Sequence, residues 1–487
     1  MEILIENICC IGAGYVGGPT MAVIADKCPH LKVNVVDINQ ERIKAWNSQD
    51  LTKLPVFEPG LDEIIKRTRF KNLNFSCDVD ECIREAQMVF ISVNTPTKKR
   101  GVGAGEASDL KYVEACARQV AKNARGHTIV IEKSTLPVKT AEVIKKILED
   151  YQAISSNKNP KATFDVLSNP EFLAEGSAIN DLENPDRVLI GGQNKLAINA
   201  LSQIYSNWVP KNKILHTNIW SSELAKLTSN AFLAQRVSSI NAIGALCEAT
   251  GADVKEVARA IGSDNRIGSR FLDAGPGFGG SCFKKDILNL VYLSKHFGLI
   301  EVANFWEVVV SLNNWHQHRI SQLVVKNLFG TVTGKKICIL GFAFKANTND
   351  TRESAAINIC KDLLEEGAVL FIHDPKVIAE QISKDLLVNE NKNLKNPEFK
   401  NFFNYEASWC FEENIAKAAS NADAIIVLTE WDEYSKIRWD LISKEMRRPA
   451  WVFDARSIVN EKEVIKTDLN LWKVGNGSKS NDWRFKS

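Results

Sequence analysis

The chain has 487 residues, and at about 150 residues per domain this length predicts roughly three domains. Its 61 basic and 59 acidic residues nearly cancel, which argues against nucleic-acid binding and against a role at a membrane surface. No apolar run approaches the ~20 residues that span a bilayer, and the N-terminus lacks the basic start and long apolar run of a signal peptide. Eleven scattered cysteines without a Cys-x-x-Cys pair predict a reducing, cytoplasmic location and no metal site.

The first motif is a dinucleotide-binding fingerprint. An apolar strand over residues 7–11 leads into Gly12-Ala13-Gly14-Tyr15-Val16-Gly17, which opens a helix through Ala25, and a second strand over 33–36 ends at Asp37. The first glycine allows the tight turn, the second lets a pyrophosphate reach the backbone, and the third packs helix on strand. Asp37 can bond the ribose hydroxyls and would repel a 2′-phosphate. The fingerprint therefore predicts NAD in preference to NADP.

Three further strands each end in a polar loop. The strands are predicted over 88–93, 128–132 and 164–167, and the loops read Asn94-Thr95-Pro96-Thr97, Lys133-Ser134-Thr135-Leu136-Pro137 and Ser168-Asn169-Pro170-Glu171-Phe172-Leu173-Ala174-Glu175-Gly176. One such loop alone is ordinary turn chemistry. Three in succession beside a dinucleotide site predict the rim of a cofactor and substrate site, because ligands bind at the carboxyl ends of parallel strands. Glu171 and Glu175 are four residues apart and would share a face if that segment were helical.

From Ser221 the pattern becomes helical and continues to about Phe329. Lys226 and Asn230 are four residues apart, so they share one face of the first helix. Taken alone, such a pair is more often a solvated lysine and an incidental asparagine. The helical pattern is broken over 263–281, a segment that contains Arg266.

The run Gly275-Pro276-Gly277-Phe278-Gly279-Gly280-Ser281-Cys282 places a cysteine behind a pliant loop. Apolar residues three or four apart follow, so we expect Cys282 in the first turn of a helix, whose positive end stabilises a thiolate. Asp286 lies one turn further on the same face, where a carboxylate can serve as a nearby acid or base. The alternative is that Cys282 is a small buried hydrophobe, as most cysteines without a disulfide are.

A second α/β unit begins at Lys335, with strands predicted over 337–340, 370–373, 424–428 and 451–453. It has the Rossmann rhythm but no GxGxxG, so it should not hold a pyrophosphate in the same way. The predicted fold is α/β, with two Rossmann-like doubly wound parallel-sheet domains joined by a central helical domain. We place the domains at 1–218, 219–330 and 331–473, followed by a disordered polar tail over 474–487.

Five of these stretches in this order resemble the UDP-glucose/GDP-mannose dehydrogenase family over roughly residues 5 to 470. They are residues 11–18, 168–176, 221–230, 277–286 and 341–354. The resemblance implies a four-electron oxidation of the sugar C6 alcohol of UDP-glucose to a carboxylate, with two NAD, in a homo-oligomer that is at least a dimer and plausibly a hexamer.

The resemblance also implies roles for individual residues. Cys282 would form a thiohemiacetal and then a thioester, Lys226 or Asp286 would act as base, and Lys226 and Asn230 would stabilise oxyanions. Glu171, Thr135 and Asp286 would position the hydrolytic water. The implied NAD site comprises the Gly12–Gly17 loop, Asp37, Arg42, Val93, Asn94, Thr95, Pro96, Thr97, Ser134, Thr135, Leu136, Glu175, Cys282 and Arg352. The implied UDP-sugar site comprises Glu171, Phe172, Leu173, Ala174, Glu175, Lys226, Asn230, Asp273, Gly277, Phe278, Gly279, Phe344, Lys345 and Arg456, with Arg266 from a neighbouring subunit.

The chain departs from the family pattern at three places: Ala346 after Lys345, Ser457 after Arg456, and Ala104-Gly105-Glu106 where a basic loop is usual. These departures remove no catalytic group but bear on selectivity and assembly. Alternatives inside the family are a GDP-mannose or UDP-N-acetylhexosamine dehydrogenase. Outside it are a two-electron hydroxyacid-type dehydrogenase, which has no use for Cys282, and an NAD-sensing scaffold, which would be expected to lack Cys282, Lys226 or Asp286.

Overall fold

The computed structural model describes residues 3–155, 162–395 and 407–477. Its contacts divide the chain into two compact units. Unit 1 comprises Met1–Ser229 and Leu288–Leu299, and unit 2 comprises Asn230–Ile287 and Ile300–Ser487. Of the three boundaries between these segments, those after Ser229 and Ile287 fall inside helices, and the one after Leu299 falls between two helices. The division into three domains at residues 219 and 331 stays a prediction.

Unit 1 is built on an eight-stranded sheet in the order β3-β2-β1-β4-β5-β6-β7-β8. The strands are β1 (Asn7–Ile11), β2 (Lys32–Val36), β3 (Leu73–Ser76), β4 (Met88–Ile91), β5 (His127–Glu132), β6 (Thr163–Ser168), β7 (Val188–Gly191) and β8 (Ile214–Thr217). The first six have the order of a dinucleotide-binding Rossmann sheet. All neighbouring pairs are parallel except β6 and β7, which meet antiparallel at Ser168 and Gly191.

Helices cover this sheet, and β4 and β7 are apolar along their whole length and buried. The helices are α1 (Gly17–Lys27), α2 (Gln40–Trp46), α3 (Leu61–Thr68), α4 (Val79–Glu85), α5 (Lys111–Asn123), α6 (Thr140–Ser155), α7 (Ala178–Glu183) and α8 (Lys195–Tyr205). The predicted strand-loop-helix-strand start of the chain is confirmed to within two residues at each end.

Four long helices follow, and they account for the region predicted as helical from Ser221 to about Phe329. They are α9 (Ile219–Thr250), α10 (Val254–Gly262), α11 (Phe283–His296) and α12 (Ile300–Asn327). Asp253 caps α10 by accepting the backbone N–H groups of Lys255 and Glu256. Within the described residues, no helix combines the length and the apolar composition needed to cross a bilayer.

Unit 2 contains a second sheet, with six parallel strands in the order β11-β10-β9-β12-β13-β14. The strands are β9 (Lys336–Leu340), β10 (Val369–His373), β11 (Ser408–Phe411), β12 (Ala424–Val427), β13 (Trp451–Asp454) and β14 (Asn470–Lys473). The helices are α13 (Ala355–Glu365), α14 (Ala379–Leu386), α15 (Ile415–Ala419), α16 (Asp432–Ser435), α17 (Trp439–Glu445) and α18 (Glu461–Val464). The predicted fold class is confirmed in both sheets.

The polar tail was predicted from residue 474. Residues 474–477 continue from β14 and pack on the end of α9. The Gly475 N–H donates to Glu248 Oε1 at 2.8 Å, and Asn476 forms an isolated antiparallel β-bridge with Asp253. Residues 478–487 lie outside the described part of the chain.

Candidate active site

The loop after β1 has the shape that the fingerprint predicted. Gly12 has φ +111°, and a Cβ there would lie 2.2 Å from the Ser92 carbonyl oxygen. A Cβ on Gly17 would lie 2.0 Å from the Gly12 carbonyl oxygen, so both positions require glycine. A Cβ on Gly14 would meet no atom within 4 Å. The open space above Gly14, at the N-terminus of α1, fits a pyrophosphate against the backbone.

Asp37 follows β2 and closes this loop. Its Oδ2 accepts the Ala13 N–H at 3.0 Å and pairs with Arg42 Nη1 at 3.0 Å. Arg42 lies in the first turn of α2, which Asn39 caps. The acidic residue and its arginine partner are therefore positioned as expected for a ribose site.

The loops after β4 and β5 bond to each other. Thr95 Oγ1 donates to the Thr135 carbonyl at 3.0 Å, and Ser134 Oγ donates to the Val93 carbonyl at 2.7 Å. Residues 93–97 and 134–136 thus form one continuous wall beside the dinucleotide loop. Leu136 is buried in the core between α5, α6 and the sheet.

Glu171 and Lys226 form a buried ion pair in unit 1, with Glu171 Oε1 and Lys226 Nζ 3.6 Å apart. Glu171 Oε2 is buried and has no hydrogen-bond partner in the described residues. The Phe172 ring packs under the same ammonium, 5.4 Å from Lys226 Nζ. The alternative of a solvated lysine is wrong for Lys226, because its side chain is buried.

The spacing of Glu171 and Glu175 does not produce a shared helical face. The segment is a loop, and the next helix, α7, begins at Ala178. The backbone of this loop is held by Glu58, whose carboxylate accepts the N–H groups of Gly176 at 2.7 Å and Ala178 at 3.0 Å. A buried acid from a distant segment therefore sets the course of residues 171–178.

Sequence reasoning gave no role to Lys133 and Asn169, which lie at the ends of two adjacent strands. Lys133 Nζ donates to Asn169 Oδ1 at 3.3 Å, and the Tyr205 hydroxyl donates to the same oxygen at 2.7 Å. Burial lowers the pKa of Lys133 to about 8 and raises that of Tyr205. The sequence signal that could have revealed this pair is a lysine immediately after an apolar strand.

A second missed pair is Glu132 and Glu223, two buried carboxyl groups in contact. Glu223 accepts the Lys139 N–H at 2.7 Å and the Ala141 N–H at 2.8 Å, so it caps α6. Burial, and then the neighbouring Glu223 carboxylate, raise the pKa of Glu132 well above its usual value. Burial also raises the pKa of Glu223, so both carboxyl groups favour the neutral form more than a solvated glutamate does.

In unit 2, Cys282 immediately precedes α11. Its carbonyl accepts the Asp286 N–H at 2.9 Å, which makes it the N-cap residue, one position before the expected first turn. The thiol side chain is exposed. The exposure of Cys282 counts against the alternative of a small buried hydrophobe. Cys28, by contrast, is buried, and burial raises the pKa of its thiol to about 11.

Asp286 and Asn230 are directly bonded. Asn230 Nδ2 donates to Asp286 Oδ2 at 2.6 Å, and Lys285 Nζ lies 3.3 Å from Asp286 Oδ1. Both Asn230 and Asp286 are buried. The predicted one-turn spacing between Cys282 and Asp286 is confirmed, and Asn230 reaches Asp286 from α9.

The glycine loop is fixed by buried side chains on two helices. Asn241 Oδ1 accepts the Gly275 N–H at 2.9 Å, and His316 Nε2 donates to the Gly275 carbonyl at 2.8 Å. Asn313 Oδ1 accepts the Phe278 N–H at 2.8 Å, and its Nδ2 donates to the Phe278 carbonyl. Burial lowers the pKa of His316 to about 4, so it is neutral at pH 7.

Tight packing explains why this loop is glycine-rich. A Cβ on Gly277, which has φ +123°, would lie 2.8 Å from Asn313 Oδ1. A Cβ on Gly279 would lie 2.6 Å from the Glu353 carbonyl oxygen and 2.9 Å from Phe344 Cβ. The loop is therefore held between α12 and the segment that follows β9.

Three predicted substrate residues meet beside this loop. Arg456 Nη2 donates to the Phe344 carbonyl at 2.8 Å, and Arg456 Nε donates to the Leu428 carbonyl at 2.8 Å. A Cβ on Gly275 would lie 3.4 Å from Arg456 Nη1, and the Lys345 ammonium lies 5.6 Å from the Phe344 ring centre. Arg456, which also pairs with Glu430 at 3.1 Å, therefore lies against the loop, and Lys345 lies over the adjacent Phe344 ring.

Other predicted residues lie apart from this cluster or project outward. Arg266 has a 90% exposed side chain and pairs with Asp264 at 2.6 Å. Arg352 is exposed and pairs with Asp350, and Asp273 is exposed at the start of the loop. At the departures, the Ala346 N–H donates to Glu430, and the Ser457 carbonyl accepts from Lys255.

Three family models match the chain in succession, and all three describe domains of the UDP-glucose/GDP-mannose dehydrogenase family. The NAD binding domain matches residues 6–209, the central domain matches 220–315, and the UDP binding domain matches 338–461. Together they span most of both units.

Individual relatives are similar over nearly the whole chain. It is 53% identical over 469 residues to UDP-glucose 6-dehydrogenase of Gallus gallus, covering 95% of this chain and 92% of that protein. It is 51% identical over 473 residues to UDP-glucose 6-dehydrogenase of Drosophila melanogaster, covering 96% of each. The structure of a UDP-glucose dehydrogenase from the hyperthermophilic archaeon Pyrobaculum islandicum matches with a TM-score of 0.80 and 28% identity, over 97% of this chain and 98% of that chain.

Proposed function

Because this chain belongs to the UDP-glucose/GDP-mannose dehydrogenase family, we propose that it oxidises the C6 alcohol of UDP-glucose to a carboxylate with NAD, through a thioester on Cys282. The observation that carries the covalent step is the exposed thiol at the N-cap of α11, directly behind a clamped glycine loop. A two-electron alcohol dehydrogenase has no use for a thiol there.

Each half of the chain fits the ligand that its family domain names. The space above Gly14, the Asp37–Arg42 pair and the joined loops 93–97 and 134–136 would hold NAD. Phe344, Lys345 and Arg456 would hold the UDP moiety beside the glycine loop. NAD, when bound, supplies the hydride acceptor for both oxidations.

In the first oxidation a base must take the proton of the C6 hydroxyl. Lys226 and Asp286 are the two candidates, acting through a water molecule. Both side chains are buried, so bulk water does not compete for their polar atoms. Asn230 binds Asp286 at 2.6 Å, which fixes that carboxylate in one orientation.

In the second half the Cys282 thiolate attacks the aldehyde carbon, and a C–S bond forms as the carbonyl becomes an alkoxide. Lys226 and Asn230, one turn apart on α9, would stabilise that oxyanion. Loss of hydride from the same carbon leaves a thioester. A water oriented by Glu171, Thr135 and Asp286 then adds to the thioester carbon, the C–S bond breaks, and Cys282 is regenerated with the carboxylate product.

Assembly is part of the proposal, with a second copy of this chain as the partner. Phe232, Ile243 and Leu246 form one exposed apolar stripe on α9, and Phe305 and Val308 begin another on α12. Exposed apolar side chains gathered on one side of a helix are common at subunit interfaces. The exposed Arg266 would then reach the partner's site, in a dimer or a hexamer built from dimers.

We also propose a cytoplasmic location. All eleven cysteines of the chain lie in the described residues, and none of them forms a disulfide. This state is usual for proteins of a reducing compartment.

The proposal is tested by NADH yield across a panel of nucleotide sugars that includes UDP-glucose, GDP-mannose and a UDP-N-acetylhexosamine. We expect about two NADH per UDP-glucose and no trappable aldehyde, because Cys282 retains the intermediate. A yield of one NADH with free aldehyde would contradict the covalent route. A higher kcat/KM for another sugar nucleotide would identify that nucleotide as the substrate and leave the proposed chemistry unchanged.

A further inference from the structure

A second buried lysine accompanies the Glu171–Lys226 pair in unit 1. Lys133 is only 3% exposed, and in the described residues its ammonium makes one hydrogen bond, to Asn169 Oδ1 at 3.3 Å. Burial lowers the pKa of Lys133 to about 8, helped by the Lys226 ammonium and opposed by the Glu171 carboxylate. A buried cation with one neutral partner is costly, so its presence needs a reason.

Lys133 connects two loops that carry proposed catalytic groups. It begins the segment that contains Thr135, and Asn169 lies two residues before Glu171. Asn169 is fixed further by the Tyr205 hydroxyl at 2.7 Å and by its own Nδ2, which donates to the Leu189 carbonyl at 2.8 Å. The Lys133–Asn169 bond therefore ties the Thr135 loop to a rigid anchor beside Glu171.

Lys133 also contributes charge. Glu171 is buried, and its Oε2 has no hydrogen-bond partner among the described residues. The Lys226 ammonium lies 3.6 Å from the other carboxylate oxygen, and Lys133 adds a second positive charge nearby. The titratable and charged groups that surround Lys133 are Cys10 on β1, Tyr205 on α8, Lys226 on α9, and Glu171 on its loop. Burial raises the pKa of Cys10 and Tyr205, so those two are neutral at pH 7.

We propose that Lys133 is a positioning residue for thioester hydrolysis, which aligns the Thr135 and Glu171 loops and adds a second positive charge near the carboxylate that orients the attacking water. This inference rests on the proposed function. It predicts that loss of the Lys133 charge slows hydrolysis selectively and leaves the two oxidations largely intact.

The test compares Lys133→Gln, Lys133→Met and the control Lys145→Gln, an exposed lysine on α6. Gln retains a donor to Asn169 but no charge, and Met retains the length alone. For each variant we would measure the NADH burst, the steady-state rate from pH 5 to 9, the melting temperature, and the fraction of chains that carry the sugar on Cys282 by intact-protein mass spectrometry.

We expect Lys133→Gln to turn over about tenfold more slowly at pH 6 to 7, with a burst near two NADH per site and more covalent adduct than wild type. Its two oxidations should keep rates close to those of wild type, because neither of them uses the water that Glu171 and Thr135 orient. Lys133→Met should also have a lower maximal turnover rate, because it has no donor for Asn169. Lys145→Gln should match wild type.

Equal slowing of every step in a folded Lys133→Gln, with no extra adduct, would overturn the inference and leave Lys133 a purely structural lysine. If Lys133→Met does not fold, the burst and the adduct of Lys133→Gln alone test the inference. Failure of the proposed function itself looks different: wild type would give no NADH with UDP-glucose.

Discussion

At the scale of single residues, Asp37 shapes the dinucleotide loop and is proposed to select the cofactor. Its carboxylate accepts the Ala13 N–H and pairs with Arg42. We expect NAD to be strongly preferred over NADP, and Asp37→Asn to raise relative kcat/KM for NADP by about tenfold, or ~1.4 kcal/mol. The amide removes the repulsion of a 2′-phosphate and releases Arg42 to bind it. Steady-state kinetics with both cofactors measure this.

The matched control is Arg42→Gln in the Asp37→Asn background, which should lose most of the gain. Comparable kcat/KM for the two cofactors in wild type would contradict the role of Asp37.

Individual residues differ in how far the sequence could predict them. Asp37 and the glycines were predictable, because their roles depend on a short contiguous motif with a known geometry. Cys282 was placed one position too far into its helix, since the exact N-cap depends on which carbonyl accepts the Asp286 N–H. Lys133, Glu132 and Glu223 could not be found, because their burial and partners arise from tertiary contacts.

At the scale of elements, the start of α6 depends on an acid pair. Glu223 caps this helix, and Glu132 beside it has a pKa raised well above its usual value by burial and the Glu223 charge. A raised folded-state pKa stabilises the protein at low pH, and that contribution is lost as pH rises above the unfolded value of about 4.3. We therefore expect Glu132→Gln, which donates to Glu223 without titrating, to gain melting temperature relative to wild type between pH 5 and pH 8, by about 2 °C or more at pH 8.

Thermal denaturation at both pH values checks this, with the exposed Glu149→Gln on α6 as control. A difference between variant and wild type that does not change with pH would show that Glu132 does not titrate with a raised pKa in the folded protein.

The elements themselves were largely predictable where the apolar pattern was long. Most of α9 and α12, and the strands β1, β9, β10 and β13, were anticipated within a few residues. The strands β11 and β14 were missed. They lie at the two edges of the second sheet, where short runs that mix polar and apolar residues carry little periodic signal. The clamp on the glycine loop joins Asn241, Asn313 and His316 from two helices, so only the folded chain reveals it.

At the scale of the whole molecule, the proposed dimer makes each active site depend on two chains. Arg266 is 90% exposed in the single chain and is proposed to serve the partner's site, whereas Cys282 serves its own. We expect Arg266→Ala and Cys282→Ala each to be strongly impaired alone. Mixing and re-equilibrating the two variants should restore about a quarter of wild-type activity, because half of the dimers are hybrids with one intact site.

Light scattering before and after mixing provides the control for exchange of subunits. Exchange without recovered activity would show that Arg266 acts within its own chain or not at all, and an active monomer would refute the assembly.

The central claim is that Cys282 holds the sugar covalently between the two oxidations. Its most direct test is intact-protein mass spectrometry of Cys282→Ser after mixing with UDP-glucose and NAD. Serine keeps a nucleophilic oxygen, but its alkoxide is a much poorer leaving group than a thiolate, so the ester should persist and the chain should gain the mass of the attached sugar. Cys282→Ala should show no added mass and no UDP-glucuronate. Formation of UDP-glucuronate by Cys282→Ala at near wild-type rate, with no adduct on Cys282→Ser, would contradict the account.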